Sequence, residues 1–268
     1  MSDEKAARHL VDASRRHGIS AIASAIKLLV DANRSRKLAV TEGVTLESEA
    51  DAYRVQDSVY SRLWAGTRPV AWKVGGPNDE IEPTAAPIPP EHVLRSPATV
   101  ASSSLHMLRV EAEVAFRLAR DLPPRSKAYK DKEVAAAVGE AVVTIEICDS
   151  RLADWKTANG LWKLADFQTN AALIVGSGTK DWQKIDFTKQ EAEFAIGTRV
   201  SRAKGAHPFG NPARLLPWLV AHCAKRGMGL HAGDVVTTGA WTGLEVALPG
   251  DDVVARFAGI GEAKLKIT

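Results

Sequence analysis

The sequence predicts an α+β protein, with a helical N-terminal part over residues 1–66 and a β-rich roll or sandwich over 67–268. Three observations carry this prediction. Apolar residues recur at helical spacing before residue 66. From residue 108 onward they alternate at period two, as a strand with two unlike faces requires. The turns "AGD" and "PGD" then cut the tail into short runs that suit a meander or roll. The chain has no repeat and no low-complexity tract, so both parts are expected to form one compact unit.

The elements follow in order. In "AARHLVDASRRHG", Ala7, Leu10 and Val11 share a helical face and Gly18 reads as a stop. "AIASAIKLLVDANRSRK" is a second short helix. "TLESEADAYRVQDSVYSRLWAG" is a longer one, with Thr45 or Ser48 as cap, Ala52, Val55, Val59 and Leu63 as its stripe, and Gly66 at its end. "VAWKVGG" is a strand running into glycines, and the proline-rich residues 77–97 are loop or isolated extended pieces. "LRVEAEVAFRLAR" is a strand with Leu108, Val110, Ala112, Val114, Phe116 and Leu118 on one face. A helix follows at about 130–141, then the strands "VVTIEICD", "AALIVGSG" and "FAIGTRVSRAKG". "GNPARLLPWLVAHCAKRG" is a helix opened by Asn211 and Pro212 and closed by Gly227. "HAGDVVTTG", "LEVALPGDDVVARFAG" and "GEAKLKI" supply the last strands.

Composition narrows the function. A net charge of +3 with scattered basic residues gives no stripe for nucleic acid. The two cysteines, Cys148 and Cys223, lack the spacing of a zinc site or a disulfide scaffold, which fits a reducing compartment. No apolar run reaches membrane-span length, and the charged start "MSDEKAARHL" is unlike a signal peptide. The expectation is a cytoplasmic protein without membrane or nucleic-acid partners. No phosphate loop, dinucleotide fingerprint, nucleophile elbow or H-E-x-x-H motif occurs, so any metal should be a hard ion on oxygen ligands.

The chemistry concentrates in "RVEAEVAFR". Glu111 and Glu113 share a strand face, with β-carbons roughly 6.5–7 Å apart. They are either a solvated face neutralised by Arg109 and Arg117, or two ligands of a cation. In "VVTIEICDSR", Glu146 lies between Ile145 and Ile147, where burial is costly without a partner. That partner is either Arg151 or Lys73 in a buried ion pair, or a metal shared with Glu111 and Glu113, namely Mg²⁺ or Mn²⁺. Lys73, at the end of a strand before two glycines, can reach inward to a ligand or outward to water. Asp149 can cap the strand end, or orient a ligand or Arg151 from behind the site.

Taken in order, "WKVG" at 72–75, "RVEAEVAFRLARDLP" at 109–123, "EICDSRLADW" at 146–155, "LADFQTNAALIVGSG" at 164–178 and "GDVVTTGA" at 233–240 resemble the 2-keto-4-pentenoate (2-hydroxypentadienoate) hydratase family of the fumarylacetoacetate hydrolase superfamily. The resemblance implies a β-roll of the fumarylacetoacetate hydrolase C-terminal type. It implies a divalent metal on Glu111, Glu113 and Glu146, and a substrate-facing lysine at Lys73. It also implies substrate contacts from Asp166 and Thr169, a small 2-oxo or 2-hydroxy acid substrate from aromatic degradation, and self-association. Trp155, Trp162 and Trp182, in segments with little apolar periodicity, are expected to serve that self-association.

The sequence departs from the resembling family at two places. Thr84 stands where the hydratases carry a loop aspartate, and Phe167 and Thr169 stand where Asn and Ser are usual. Metal-dependent 2-oxo-acid chemistry is therefore better supported than hydration itself. A decarboxylase of the 4-oxalocrotonate type, an acylpyruvate carbon–carbon hydrolase using a pair such as Glu91 and His92, and a non-catalytic acid-binding paralogue are the alternatives. In the hydratase reading Lys73 is the general acid/base and Asp149 supports it.

Overall fold

The computed structural model describes the backbone from Ser2 to Thr268, and side chains from Gly18 onward. It divides into two units, one of residues 1–66 with 150–169, the other of 67–149 with 170–268. The first unit thus takes in a second stretch beyond the predicted helical part.

In the first unit, α1 (Ser2–Ser35) is continuous, so Gly18 does not stop it. A helical glycine costs about 1 kcal/mol relative to alanine, but ends a helix only when the chain turns left-handed there, and Gly18 keeps a negative φ. Ala7, Leu10 and Val11 lie outside the described side chains. α2 (Glu49–Leu63) is capped by Ser48, whose hydroxyl accepts the Asp51 N–H at 3.2 Å. Its buried stripe is Ala52, Val55, Gln56, Val59 and Tyr60. The buried Gln56 amide donates to the Leu164 carbonyl at 2.8 Å, the last turn of α4 (Gly160–Ala165). Trp162 donates its indole N–H to the Val44 carbonyl at 3.2 Å.

The second unit is two sheets face to face. β1 (Ala71–Gly75), β2 (Thr84–Ile88) and β3 (Val93–Arg95) precede β4 (Ala98–Val100) and β5 (Arg109–Leu118). α3 (Asp131–Ala137) leads into β6 (Val138–Cys148) and β7 (Asn170–Thr179). β8 (Glu191–Ile196) and β9 (Arg199–Lys204) form a hairpin before α5 (Leu215–Lys225). β10 (Val235–Ala240), β11 (Glu245–Val246), β12 (Asp252–Phe257) and β13 (Gly261–Ile267) complete the chain. The larger sheet runs β2-β1-β10-β5-β6-β7-β3 with β11 on β5, and the smaller runs β4-β13-β12-β8-β9. Val110, Ala112, Val114 and Phe116 of β5 meet Phe194, Val253, Ala255 and Phe257 of the smaller sheet in one apolar core.

Three expectations change. Residues 77–97 are not isolated pieces, because β2 pairs with β1 along its length and Pro87 is tolerated on this edge strand. The helix expected at 130–141 ends at Ala137, because Val138 and Glu140 already pair with Leu118 and Arg117. The tail is not one meander, since β10 joins the larger sheet and β12 and β13 the smaller. Trp162 and Trp182 are also buried within the chain, so neither is left over for an interface.

Candidate functional site

The larger sheet has a second face, and the predicted carboxylates lie on it. Glu111 of β5 stands directly opposite Glu146 of β6, and Glu113 directly opposite Thr144. Directly opposed like charges repel, so the neighbours must compensate. The Lys73 ammonium on β1 does so, with Nζ 2.8 Å from Glu146 Oε1 and 3.8 Å from Glu111 Oε2. Asn170, the first residue of β7, donates Nδ2 to the same Glu146 oxygen at 3.0 Å. Four strands thus build one polar row.

The arginines take other partners. Arg117 pairs with Glu140 at 2.7 Å rather than with the glutamates. Arg151 pairs with Asp166, so Lys73 is the buried partner of Glu146.

Glu113 is held separately, from β10. β10 bulges between Thr237 and Ala240 where it pairs with β5. The bulge lets the Gly239 N–H, at 2.9 Å, and the Thr237 hydroxyl both donate to Glu113 Oε2. Because Thr237 gives its proton to the carboxylate, Thr144 Oγ1, 3.0 Å away, donates to Thr237 in turn. His207 supports the bulge from behind, with Nε2–H to the Thr238 carbonyl at 2.8 Å and Nδ1 accepting the Phe209 N–H at 3.2 Å. Burial holds its pKa down at about 4, so the ring is neutral.

The electrostatics favour a cation. Burial pushes the Glu113 carboxyl well above its usual range, and Glu146 and Glu111 push it further. Burial likewise raises Glu111, opposed by Lys73. Burial alone would lower Lys73, but Glu146, Cys148, Glu111 and Glu113 outweigh it and hold the ammonium well above its usual value. The glutamates outnumber the one lysine by two charges, which a divalent cation would balance. Glu113 Oε1 and Glu146 Oε2 are buried with no hydrogen-bond partner among the described residues. Unpaired buried carboxylate oxygens are costly, and they fit the oxygen-donor set of a hard divalent ion.

The other predicted residues lie elsewhere. Asp149, buried just after β6, accepts the His106 and Met107 N–H groups on Oδ1 at 3.0 and 2.6 Å, and so fixes a turn. Asp166 is fully buried. Its Oδ1 accepts Arg151 Nε at 2.5 Å, and its Oδ2 accepts the Ser150 hydroxyl and the Arg151 N–H, each at 3.0 Å. Both its oxygens are therefore engaged within the first unit, where they hold the corner at 150–151. Thr169 ends three successive left-handed residues, Phe167, Gln168 and Thr169, with φ of 53°, 52° and 60°. Such a run is disfavoured for residues other than glycine, and strain of this kind collects at functional sites. Glu91 and His92 sit in a short 3₁₀ turn, with Glu91 mostly exposed.

Sequence reasoning missed Asn170, Thr144, Thr237, Gly239 and Cys148. Only the strand pairing brings them to the glutamates, although "TTGA" and "EIC" had already been singled out as motifs.

The family description "Fumarylacetoacetate (FAA) hydrolase C-terminal" matches residues 68–268, and the chain belongs to this family. The 2-keto-4-pentenoate hydratase of Burkholderia vietnamiensis is 33% identical over 167 residues, 62% of this chain and 63% of that relative's length. A TodF product hydratase of Pseudomonas putida is 30% identical over 255 residues, 90% of this chain and 93% of the relative. In fold, the chain is similar to 4-oxalocrotonate decarboxylase from Pseudomonas putida G7, solved with magnesium and adipate. The TM-score is 0.81 at 22% identity, covering 92% of this chain and 97% of that one.

Proposed function

We propose that this chain is a divalent-metal-dependent hydratase that adds water to a 2-hydroxy-2,4-dienoate, or its 2-oxo tautomer, in the degradation of aromatic compounds. The observation that carries this reading is the buried carboxylate row with its unpaired oxygens, set against Lys73. The hydratase names of the relatives support the reaction type. Glu111, Glu113 and Glu146 would hold Mg²⁺ or Mn²⁺, which when bound supplies a Lewis acid that polarises the 2-oxo or enol oxygen of the substrate.

The chain's own residues do the rest. Thr237 and Gly239 fix Glu113 in one orientation, so the donor set is preorganised. Lys73, held as an ammonium, can bind the substrate carboxylate and give a proton from Nζ to the substrate carbon skeleton. Thr84 lies on the same sheet face, diagonal to Lys73 across β1 and β2, and brings a hydroxyl that does not titrate. Lys73 is therefore the titratable group of that strand pair. Asp149 acts by holding the turn at 106–107.

Decarboxylation is the second reading, favoured by Thr84, because the resembling hydratases carry a carboxylate there. We place the protein in the cytoplasm, since its two widely separated cysteines, Cys148 and Cys223, both buried, suit a reducing compartment. We also expect it to self-associate, as the resemblance implies. A single species of 28.8 kDa by light scattering would defeat the latter.

The test is turnover of 2-hydroxypentadienoate, read as loss of diene absorbance with and without Mg²⁺. Release of carbon dioxide from an oxalocrotonate would select the decarboxylase, and cleavage of an acylpyruvate the hydrolase. No turnover of any of them with Mg²⁺ or Mn²⁺ would sink the enzymatic reading in favour of an acid-binding paralogue.

A further inference from the structure

Alternation along β6 places Cys148 on the same face as Glu146, two residues on, and its register partner on β7 is Asn170. The thiol is buried. Among the described residues, Glu111, Glu146 and Cys148 bring one ligand atom each within 4.8 Å of one another. Ligands of one tetrahedral ion lie roughly 3.5 Å apart when bonded at about 2.0–2.3 Å. Binding would therefore draw the three atoms together by about 1 Å. A second observation points to a ligand at the same spot. Lys73 and Asn170 both occupy Glu146 Oε1, while Oε2 of that fully buried carboxylate has no partner. Glu113, whose Oε2 is tied to β10, keeps a buried Oε1 without a hydrogen-bond partner among the described residues and can complete the donor set.

We propose that Cys148 is a donor to the cation bound at this centre, giving it a mixed thiolate and carboxylate set that prefers a borderline or soft divalent ion such as Zn²⁺ or Co²⁺ to Mg²⁺. The inference rests on the metal reading of the glutamates and adds to it a selectivity that carboxylates alone would not confer. Sulfur ligands discriminate against hard Mg²⁺, whereas carboxylates accept both kinds of ion. Coordination replaces the S–H bond by a sulfur–metal bond, and the proton goes to solvent.

The experiment adds Co²⁺ to the metal-stripped full-length protein and records its near-ultraviolet spectrum. Zn²⁺ and Mg²⁺ affinities are then measured by calorimetry for the wild type and Cys148→Ser. The wild-type spectrum needs no variant, so a folding defect in Cys148→Ser does not remove the test. The expected result is an intense thiolate-to-cobalt charge-transfer band that Cys148→Ser lacks. The preference for Zn²⁺ over Mg²⁺ should fall by roughly tenfold or more, since loss of even an outer partner costs that much. Co²⁺ that binds and is displaced by Mg²⁺ without a thiolate band would overturn the proposal and leave the carboxylate site standing, with Cys148 a small packing residue. Failure of every divalent ion to bind would overturn both.

Discussion

Lys73→Met removes the only cation that the described residues place among Glu111, Glu113 and Glu146. Leaving a buried ion pair half-broken costs about 3–5 kcal/mol, and Lys73 keeps little solvent contact that could soften the loss. The pH dependence carries more information than the size of the loss. Burial already raises the Glu111 and Glu113 carboxyls above their ordinary value of 4.5 in the folded protein, and Lys73 opposes that rise. A carboxyl with a raised folded pKa contributes stability that is present at low pH and is lost as pH climbs through the folded pKa. Without Lys73 the window moves further upward. The deficit relative to wild type should therefore grow as pH rises above 4.5, by at most about 1.4 kcal/mol per pH unit for each proton that the folded variant keeps and the folded wild type has lost. The range from about pH 5 to about pH 8 samples this growth. Urea unfolding of both metal-free proteins across that range measures it, and saturating Mg²⁺ should remove much of the high-pH deficit. A deficit that is flat with pH and indifferent to Mg²⁺ would refute the reasoning, because the lysine would then be mere packing. In turnover, loss of the proton carrier should lower kcat by roughly 10²–10⁴, whereas a rise in KM alone would make Lys73 a carboxylate anchor.

Changing any of Glu111, Glu113 or Glu146 to Gln should weaken Mg²⁺ binding by roughly 100-fold or more, since even outer partners of a metal are worth 10–100-fold. Unchanged affinity by titration calorimetry in all three would place the ion elsewhere. His207, with its folded pKa lowered to about 4, contributes stability that is present above the usual histidine pKa of 6.5 and is lost as pH falls from 6.5 towards 4. The loss should reach about 3 kcal/mol. His207→Gln should flatten that acid slope in thermal melts, and an unaltered slope would mean that the ring does not titrate there. Gly176→Ala should cost about 1–3 kcal/mol or more, because its new β-carbon would meet the Glu262 carbonyl oxygen of β13 at 2.1 Å. Gly160→Ala, with nothing within 4 Å, should be near neutral, and equal urea midpoints for the two would contradict the close approach of β7 and β13.

What was legible in the sequence was whatever rests on neighbours along the chain. Period-two alternation placed Glu111 and Glu113 on one face. A glutamate flanked by isoleucines marked Glu146 as buried, and a serine before a helical stripe marked the cap of α2. What rests on neighbours across the sheet was not legible. Asn170 and Thr237 become site residues only through pairing with β6 and β5. The competition for Arg151 was settled by Asp166, fifteen residues away along the chain. β2 was hidden by Pro87, because composition cannot distinguish an edge strand from a loop. The helix before β6 was read too long because "VGEA" continues a helical pattern, whereas the partner strand claims it. Gly18 misled in the opposite direction, because a lone glycine weakens a helix without ending it.

The pairing of Glu111 with Glu146 has a consequence for how this protein tolerates lengthening. One extra residue within 138–145 would reverse the parity of β6 relative to β5, turning Glu146 and Cys148 into the apolar core and Ile145 and Ile147 outward. The same extra residue in the exposed stretch at 123–130 would leave the parity untouched. Along this segment, insertions should therefore sort by position into two classes, harmless and ruinous, with few in between. A strand that assembles the centre by its register makes every odd slip bury its charges, so chains mispaired in that way would be removed as unfolded protein before they could persist as inactive enzyme.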